Sequence, residues 1–275
     1  MIDSPLVSIC IPTFNAELYI GETLQSILNQ TYKNIEILIV DDCSKDKTVE
    51  VIRSFSDLRI LLYQNEVNLG VEGNWNKVLL LSSGKYCKMM GADDILYPNC
   101  IEEQLKVFED INNKGIVLVT SFKDVINQNG KVILNRKFPG KGRVKGITAI
   151  KKCLHRGTNV IGEPVAGLFR KEILEDTGYY NGENLYMIDI DLWIRILKFG
   201  DLFVIDKTLY AFRISTQSLS TNIGFAQVKL FNTFVDKLFA DKIYHISIFD
   251  KMFSKTMALA MGIARNLIYL IYFKK

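Results

Sequence analysis

The sequence is short of cysteine, histidine and net charge, and each shortage excludes a class of protein. Five cysteines, an odd number with no C-x-x-C pair, provide neither a disulfide framework nor a zinc site; they suit a reducing compartment. His155 and His245 are the only histidines, match no motif and are expected to serve in packing or at the surface. The net charge of +4 is spread along the chain, without the dense Lys/Arg stripe interleaved with aromatics that nucleic-acid binding needs. No run of 18 or more uncharged apolar residues is present, so a conventional spanning helix is not expected. No basic, apolar, small-residue leader precedes Val7, so the body of the chain is expected in the cytosol. Internal repeats and Pro/Gly-rich linkers are also missing. So are a G-x-G-x-x-G after the first strand and a G-x-x-x-x-G-K-[ST], which leaves a Rossmann dinucleotide site and a P-loop unsupported.

What is there is an ordinary globular chain. Its 275 residues, 48% hydrophobic and 23% charged, can bury a sizeable core in one or two domains. The first half alternates. Apolar, β-branched runs at 7–11, 35–40, 59–63 and 86–90 read as buried strands. Helical spacing at 16–30, after a cap at Asp46, and at 71–81 fills the gaps. This order predicts βαβ units and a mostly parallel sheet with helices on both faces. The second half predicts a hairpin of 115–126 with 131–134 around Asn127-Gln128-Asn129-Gly130. Strands at 165–169 and 202–212 follow, with a helix at 191–199 between them. One α/β domain is therefore expected over 1–220, with a helical appendage over 221–275.

Acidic residues gather where such sheets bind ligands, at the carboxyl ends of parallel strands. Asp41-Asp42 ends the second strand and Asp93-Asp94 the fourth. Turn and capping chemistry accounts for one such pair readily, and for two on different strands with more difficulty. Carboxylates without a glycine loop to cradle phosphate point to an oxygen-ligated Mg²⁺ or Mn²⁺ that carries the phosphates instead. Because neighbours on a strand point to opposite sides, Asp93 and Asp94 are expected to do different jobs. A third cluster, Asp189-Ile190-Asp191, precedes an apolar helical stripe. Asp191 reads either as a helix cap or as an acceptor-side residue, and Asp189 either as a cap or as a general base held just before the helix.

These segments resemble the family 2 glycosyltransferases of GT-A fold. The resemblance is carried by Val7-Ser8-Ile9-Cys10-Ile11-Pro12-Thr13-Phe14-Asn15, Leu28-Asn29-Gln30-Thr31-Tyr32, Ile39-Val40-Asp41-Asp42-Cys43-Ser44 and Asn68-Leu69-Gly70. It continues through Gly91-Ala92-Asp93-Asp94, Asp189-Ile190-Asp191-Leu192-Trp193 and Arg213-Ile214-Ser215, to about residue 220. It implies transfer of a sugar from a nucleotide diphosphate to an acceptor hydroxyl with inversion. The implied donor-binding residues are Pro12, Thr13, Asn15, Asp42, Asn68, Gly70 and Asp93, with Thr13 and Asp42 at the base and a lean toward uracil. Asp94 and Asp93 would hold Mn²⁺ or Mg²⁺, and Asp189 would be the catalytic base. Glu163, in a loop like the family's acceptor-side loop, is an acceptor candidate, and so is Trp75, for which a place in the core is the competing reading. Two positions depart from the family pattern: Ile188 stands where many members have Glu, and Ser215 where many have His. Rival readings are a nucleotidyltransferase, which would want a Gly-rich basic loop after the first strand, and a nucleotide-sugar or glycan binding protein without catalysis.

The C-terminal stretch 248–275 is apolar with interspersed Lys and Arg. It reads either as a helix packed on the domain or in a homodimer, or as an interfacial helix on the inner face of the cytoplasmic membrane, near lipid-linked acceptors. The acceptor itself is expected to be a glycan or lipid-linked glycan, in assembly of a surface polysaccharide or glycolipid.

Overall fold

The structure, a computed structural model, describes residues 4–214 and 225–273. Strand β1 (Val7–Thr13) pairs in parallel with β2 (Ile35–Asp41), and β2 with β3 (Ile60–Gln64). On its other side β1 pairs in parallel with β4 (Tyr86–Met89). Helices α1 (Ile20–Leu28), α2 (Thr48–Arg53) and α3 (Gly70–Leu81) make the crossovers. The predicted βαβ alternation is present, with element ends within a few residues of their predicted places. At the start of α2 the Asp46 carboxylate accepts from the Thr48 N–H (3.0 Å), which places the expected acidic side chain on an otherwise orphaned donor.

Beyond β4 come β5 (Ile95–Leu96), α4 (Cys100–Glu109), the hairpin of β6 (Ile116–Ile126) and β7 (Val132–Arg136), β8 (Gly142–Val144) and α5 (Gly146–Arg156). They are followed by β9 (Leu168–Arg170), α6 (Ile173–Thr177), α7 (Ile188–Leu197) and β10 (Asp201–Arg213). The sheet order is β3-β2-β1-β4-β9-β6-β10-β5, with β7 on β6 and β8 on β10. Since β9 is antiparallel to both β4 and β6, and β10 is parallel to β6, six strands run in one direction. Their carboxyl ends therefore share one edge, which carries Thr13, Asp42, Gln64, Met90, Ile126 and Arg213.

Strand alternation splits the core into two layers. Ile9, Ile11, Ile37 and Ile39 pack on one face with Ile20, Leu24 and Ile27 of α1 and Leu105 of α4. Cys10, Leu38, Val40 and Met89 face the other way, against Val78 of α3, Leu154 of α5 and Trp193 of α7. In this second layer lie Phe231, Phe234, Val235 and Leu238 of α8 (Ala226–Ala240) and Ala258 of α9 (Ile248–Phe273). The C-terminal helices are thus built into the core, not hung behind it.

One polar joint docks α9. Ser247 Oγ accepts from the Asp250 N–H (3.1 Å) while the Asp250 carboxylate accepts from the Ser247 N–H (2.9 Å), a reciprocal cap. The same carboxylate binds Lys151 (3.0 Å) and His155 (2.7 Å) on α5. These bonds outweigh its burial and hold Asp250 far below the usual carboxylate range. A depressed carboxyl contributes stability that is present above its unfolded value of about 4 and lost as pH falls below it. Asp250→Ala should therefore cost about 2–3 kcal/mol at pH 7. Thermal unfolding should show the gap between variant and parent closing on acidification below about pH 4.

Candidate active site

The shared sheet edge is built first from two loops that lock each other. After β1 and β2 the chain turns through Asn15 (φ 48°) and Cys43 (φ 62°), left-handed conformations that cost energy at non-glycine residues and persist only where surroundings impose them. The Asn15 N–H donates to Ser44 Oγ (2.9 Å), and the Lys45 N–H donates to Asn15 Oδ1 (2.8 Å). Asp41 accepts from the Ser44 N–H (3.1 Å). Thr13 is buried, and its hydroxyl donates to the Ile11 carbonyl (3.3 Å), while Pro12 is half-buried beside it. Phe14, which sequence reasoning passed over, is half exposed at the rim, a flat apolar surface on which a base can stack.

Asp42, only 2% exposed, is the anchor of the next loop. Its Oδ1 accepts from Asn65 Nδ2 (2.7 Å) and the Leu69 N–H (2.8 Å), and its Oδ2 from the Gly70 N–H (3.0 Å). Asn68 Nδ2 donates to the Asp42 carbonyl (3.0 Å). Gly70 (φ 71°) opens α3, so the carboxylate occupies orphan donors at a positive helix end. A carboxylate has about four acceptor sites, so roughly one is left, on Oδ2, for an incoming N–H.

Asp93 and Asp94 correct one expectation. They lie in a turn after β4, not on the strand, so strand alternation does not separate them. Their oxygens converge: a Cβ placed on Gly91 would lie 2.8 Å from Asp94 Oδ2 and 3.0 Å from Asp93 Oδ1. Burial pushes both carboxyls above the usual range, and the Asp93 charge raises Asp94 further. The Arg213 N–H donates to Asp94 Oδ1 (3.1 Å), and the Arg213 guanidinium spends itself on Glu22 (2.6 Å) and on the Asp93 carbonyl (2.9 Å). Two hard oxygen donors, desolvated and crowded together over a residue with no side chain, fit a divalent cation. Among the described residues no group of three or more His, Cys, Asp or Glu forms a complete metal cage. Ser215, the other position of interest here, lies outside the described residues.

Asp189 sits in the first turn of α7, which begins at Ile188, earlier than predicted; the carboxylate is inside the helix and not ahead of it. It accepts from Asn159 Nδ2 (2.9 Å) and from the Ile190 N–H (2.7 Å). Asn159 also donates to the Gly162 carbonyl (2.8 Å), and its Oδ1 accepts from the Ile161 N–H (3.0 Å), so one side chain ties Asp189 to the 159–163 loop. Trp193 Nε1, one turn on, donates to the same Gly162 carbonyl (2.9 Å), and its ring fills the space over Gly167. Burial first and the Glu163 charge second push the Asp189 carboxyl up to about 6. Such a group is ionised at neutral pH yet basic enough to take a proton.

Asp189, Asn159 and Glu163 line a cavity of about 440 Å³, with Lys123 of β6 ion-paired to Glu163. The lining also includes residues of the β6–β7 hairpin, Phe231 of α8 and Met261 and Gly262 of α9. Asp94 is not among the residues lining the cavity, but the charges of both Glu163 and Lys123 act on it. Two other candidates are placed elsewhere. Asp191 does not cap α7; it pairs with Arg195 (2.7 Å), which in turn holds the carbonyls of Gly178 and Tyr179. Trp75 packs edge-on to Tyr180, with ring centroids 4.9 Å apart, against the core. Asn159 and Lys123 were missed; an isolated Asn before Val160-Ile161-Gly162 and a Lys in a strand carry no local signal.

A model of the family described as "Glycosyl transferase family 2" matches residues 8–178. The chain is 31% identical over 223 residues to the Escherichia coli enzyme named UDP-Glc:alpha-D-GlcNAc-diphosphoundecaprenol beta-1,3-glucosyltransferase, covering 80% of this chain and 81% of that one. Among solved structures, Staphylococcus aureus TarS in complex with UDP-GlcNAc superposes with a TM-score of 0.71 at 17% identity, over 98% of this chain and 76% of that one. A mannosyltransferase of Pyrobaculum calidifontis, solved with GDP-Man and Mn²⁺, gives 0.66 at 16% identity, over 99% and 82%.

Proposed function

The chain belongs to glycosyl transferase family 2, with the GT-A fold, and is a glycosyltransferase; we propose that it transfers a sugar, with inversion, from a nucleoside diphosphate donor to an acceptor hydroxyl. The observation that carries the reading is the joint placement of Asp42, the Asp93–Asp94 pair and Asp189. Asp42 and the Asp93–Asp94 pair follow strands that end on one sheet edge, and Asp189 lines a cavity with Lys123 and Glu163, whose charges act on both Asp189 and Asp94.

On this reading Pro12, Thr13, Asn15, Asn68 and Gly70 form the donor rim. The remaining lone pair of Asp42 receives a base N–H, and Asp93 reaches the ribose or the cation. Asp94, with Asp93, holds Mn²⁺ or Mg²⁺, which when bound offsets the charge of the diphosphate. Asp189 takes the proton of the acceptor hydroxyl as its oxygen bonds the anomeric carbon, and the bond to the diphosphate breaks with its electron pair going to phosphate. Inversion follows if base and leaving group occupy opposite faces of the sugar.

A uracil nucleotide donor is supported by the relatives: the E. coli enzyme is named for UDP-Glc, and TarS is solved with UDP-GlcNAc. The same E. coli name specifies a lipid-linked acceptor, which supports a glycan on a lipid carrier, in surface polysaccharide or glycolipid assembly. No described helix is long and apolar enough to cross a membrane. Helix α9 nonetheless exposes Phe249, Met252, Leu259, Ile263 and Leu267, a stripe suited to contact with the inner membrane surface or with a second copy of the chain. Lys274 and Lys275, the basic end of that stretch, lie outside the described residues.

The test is incubation with UDP-Glc, UDP-GlcNAc and GDP-Man plus Mn²⁺, following the nucleotide product. Nucleoside diphosphate release, by transfer or slow hydrolysis, is expected. Pyrophosphate release would instead mark a nucleotidyltransferase, and donor binding without turnover a binding protein.

A further inference from the structure

Two charged side chains from separate elements meet beside the base. Lys123 Nζ, from β6, contacts both carboxylate oxygens of Glu163, from the loop before β9, and its ammonium lies 5.5 Å from the centre of the Phe212 ring. Both side chains are mostly buried, 13% and 23% exposed, and both line the cavity that holds Asp189. Asn159 clamps the 159–163 loop to Asp189, so Glu163 cannot move far without disturbing the base.

We propose that Glu163 is a positioning residue for the reaction: it holds a negative charge beside Asp189, and Lys123 fixes that charge in place and offsets it. This rests on Asp189 being the base. A neighbouring carboxylate strengthens the base, because taking the acceptor's proton removes one of two like charges. The ammonium prevents the pair from drawing a proton out of solvent before the acceptor arrives.

The other groups around Asp189 do not compete for this role. Cys153 of α5 is raised to about 11, and burial pushes Tyr180 and Tyr210 well above the ordinary tyrosine range, so all three are neutral near pH 7. Ile188 is buried and apolar. Asp191, on the same helix, is engaged by Arg195. Arg136, Lys137 and Arg265 also line the cavity. Glu163 is the carboxylate whose charge raises Asp189, and Lys123 the cation that lowers it.

The two single variants should therefore act in opposite directions. Glu163→Gln leaves Lys123 unopposed and should lower the midpoint of Asp189 protonation by about one pH unit. Lys123→Met leaves Glu163 unopposed and should raise it. The double variant should return close to the parent. The primary readout is a ¹³C carboxyl titration of the full chain with labelled aspartate, the Asp189 signal being assigned by its loss in Asp189→Asn. It needs no turnover, so it decides the pair even if no donor is consumed. The second readout is the acidic limb of the pH profile of nucleoside diphosphate release from UDP-Glc or UDP-GlcNAc with Mn²⁺, which should move with the titration. Shifts of the same sign in both single variants, or no shift in either, would overturn the proposal. Opposite titration shifts with an unmoved limb would overturn Asp189 as the base and leave the electrostatic pair standing.

Discussion

Asp189→Asn is expected to lower sugar transfer by about a thousandfold while leaving donor binding unchanged. A positioned general base contributes roughly 10²–10⁴ in rate, and the amide keeps the shape and one hydrogen bond to Asn159 but cannot take a proton. Donor affinity should hold because Asp189 faces the cavity and not the strand-end loops that carry Asp42 and Asp94. The carboxyl titrates at about 6, so the parent's rate should fall about tenfold per pH unit below that point. Any residual rate in the variant should lack this limb. The sign for stability is opposite to that of activity. A carboxyl raised above its unfolded value of about 4 costs folding free energy at pH 7, so the amide should be stabilising by on the order of 1 kcal/mol. A variant with normal turnover at pH 7 would remove Asp189 from the mechanism. Steady-state rates beside a melting curve report both signs in one preparation.

Asp94→Asn is expected to abolish the metal-dependent part of donor binding. In the parent, UDP with Mn²⁺ at about a hundredfold above its Kd should stabilise the fold by about 2.7 kcal/mol, a rise of roughly 5–10 °C in Tm for a chain of this size. In the variant the increment from Mn²⁺ should vanish, while any small increment from UDP alone remains through the Asp42 loop. Asparagine keeps the acceptor for the Arg213 N–H, so loss of the shift would not come from a broken backbone contact. Gly91→Ala gives the same answer from the other direction. Its methyl would stand 2.8 Å from Asp94 Oδ2 and 3.0 Å from Asp93 Oδ1, forcing the carboxylates apart without altering either charge. A full Mn²⁺ increment in both variants would place the cation elsewhere.

The fold was largely written in local pattern. Strands β1 and β2 declare themselves because a parallel strand covered on both faces is apolar at nearly every position, as Val7–Ile11 and Ile35–Val40 are, whereas β3, at the sheet edge and half exposed, shows only as a short apolar run. The β6–β7 hairpin declares itself through Asn129-Gly130, with Gly130 at φ 74°. Helix α4 also carries a local signal, Ile101, Leu105 and Phe108 at helical spacing. The start of α7 was misplaced because Asp189 and Asp191 have the composition of a cap. Instead they occupy the first turn, where carboxylates complement the helix dipole, and Asp191 finds Arg195 four residues on.

The class of chemistry is legible along the chain: carboxylates at the ends of parallel strands, no phosphate-cradling glycine loop, and ordered segments that place the chain in its family. The surroundings of those carboxylates come from packing between distant segments. Asp42 spends most of its lone pairs holding the start of α3, Asp93 and Asp94 converge because a turn frees them from strand alternation, and Asp189 is charged against Glu163 across a loop clamped by Asn159. The physical reason is range. Hydrophobic periodicity and turn chemistry act over a few residues and can be read along the chain. Desolvation and charge–charge coupling depend on which distant segments pack together, and Lys123, Glu163 and Asp189 become neighbours only when the sheet edge and α7 close on one another.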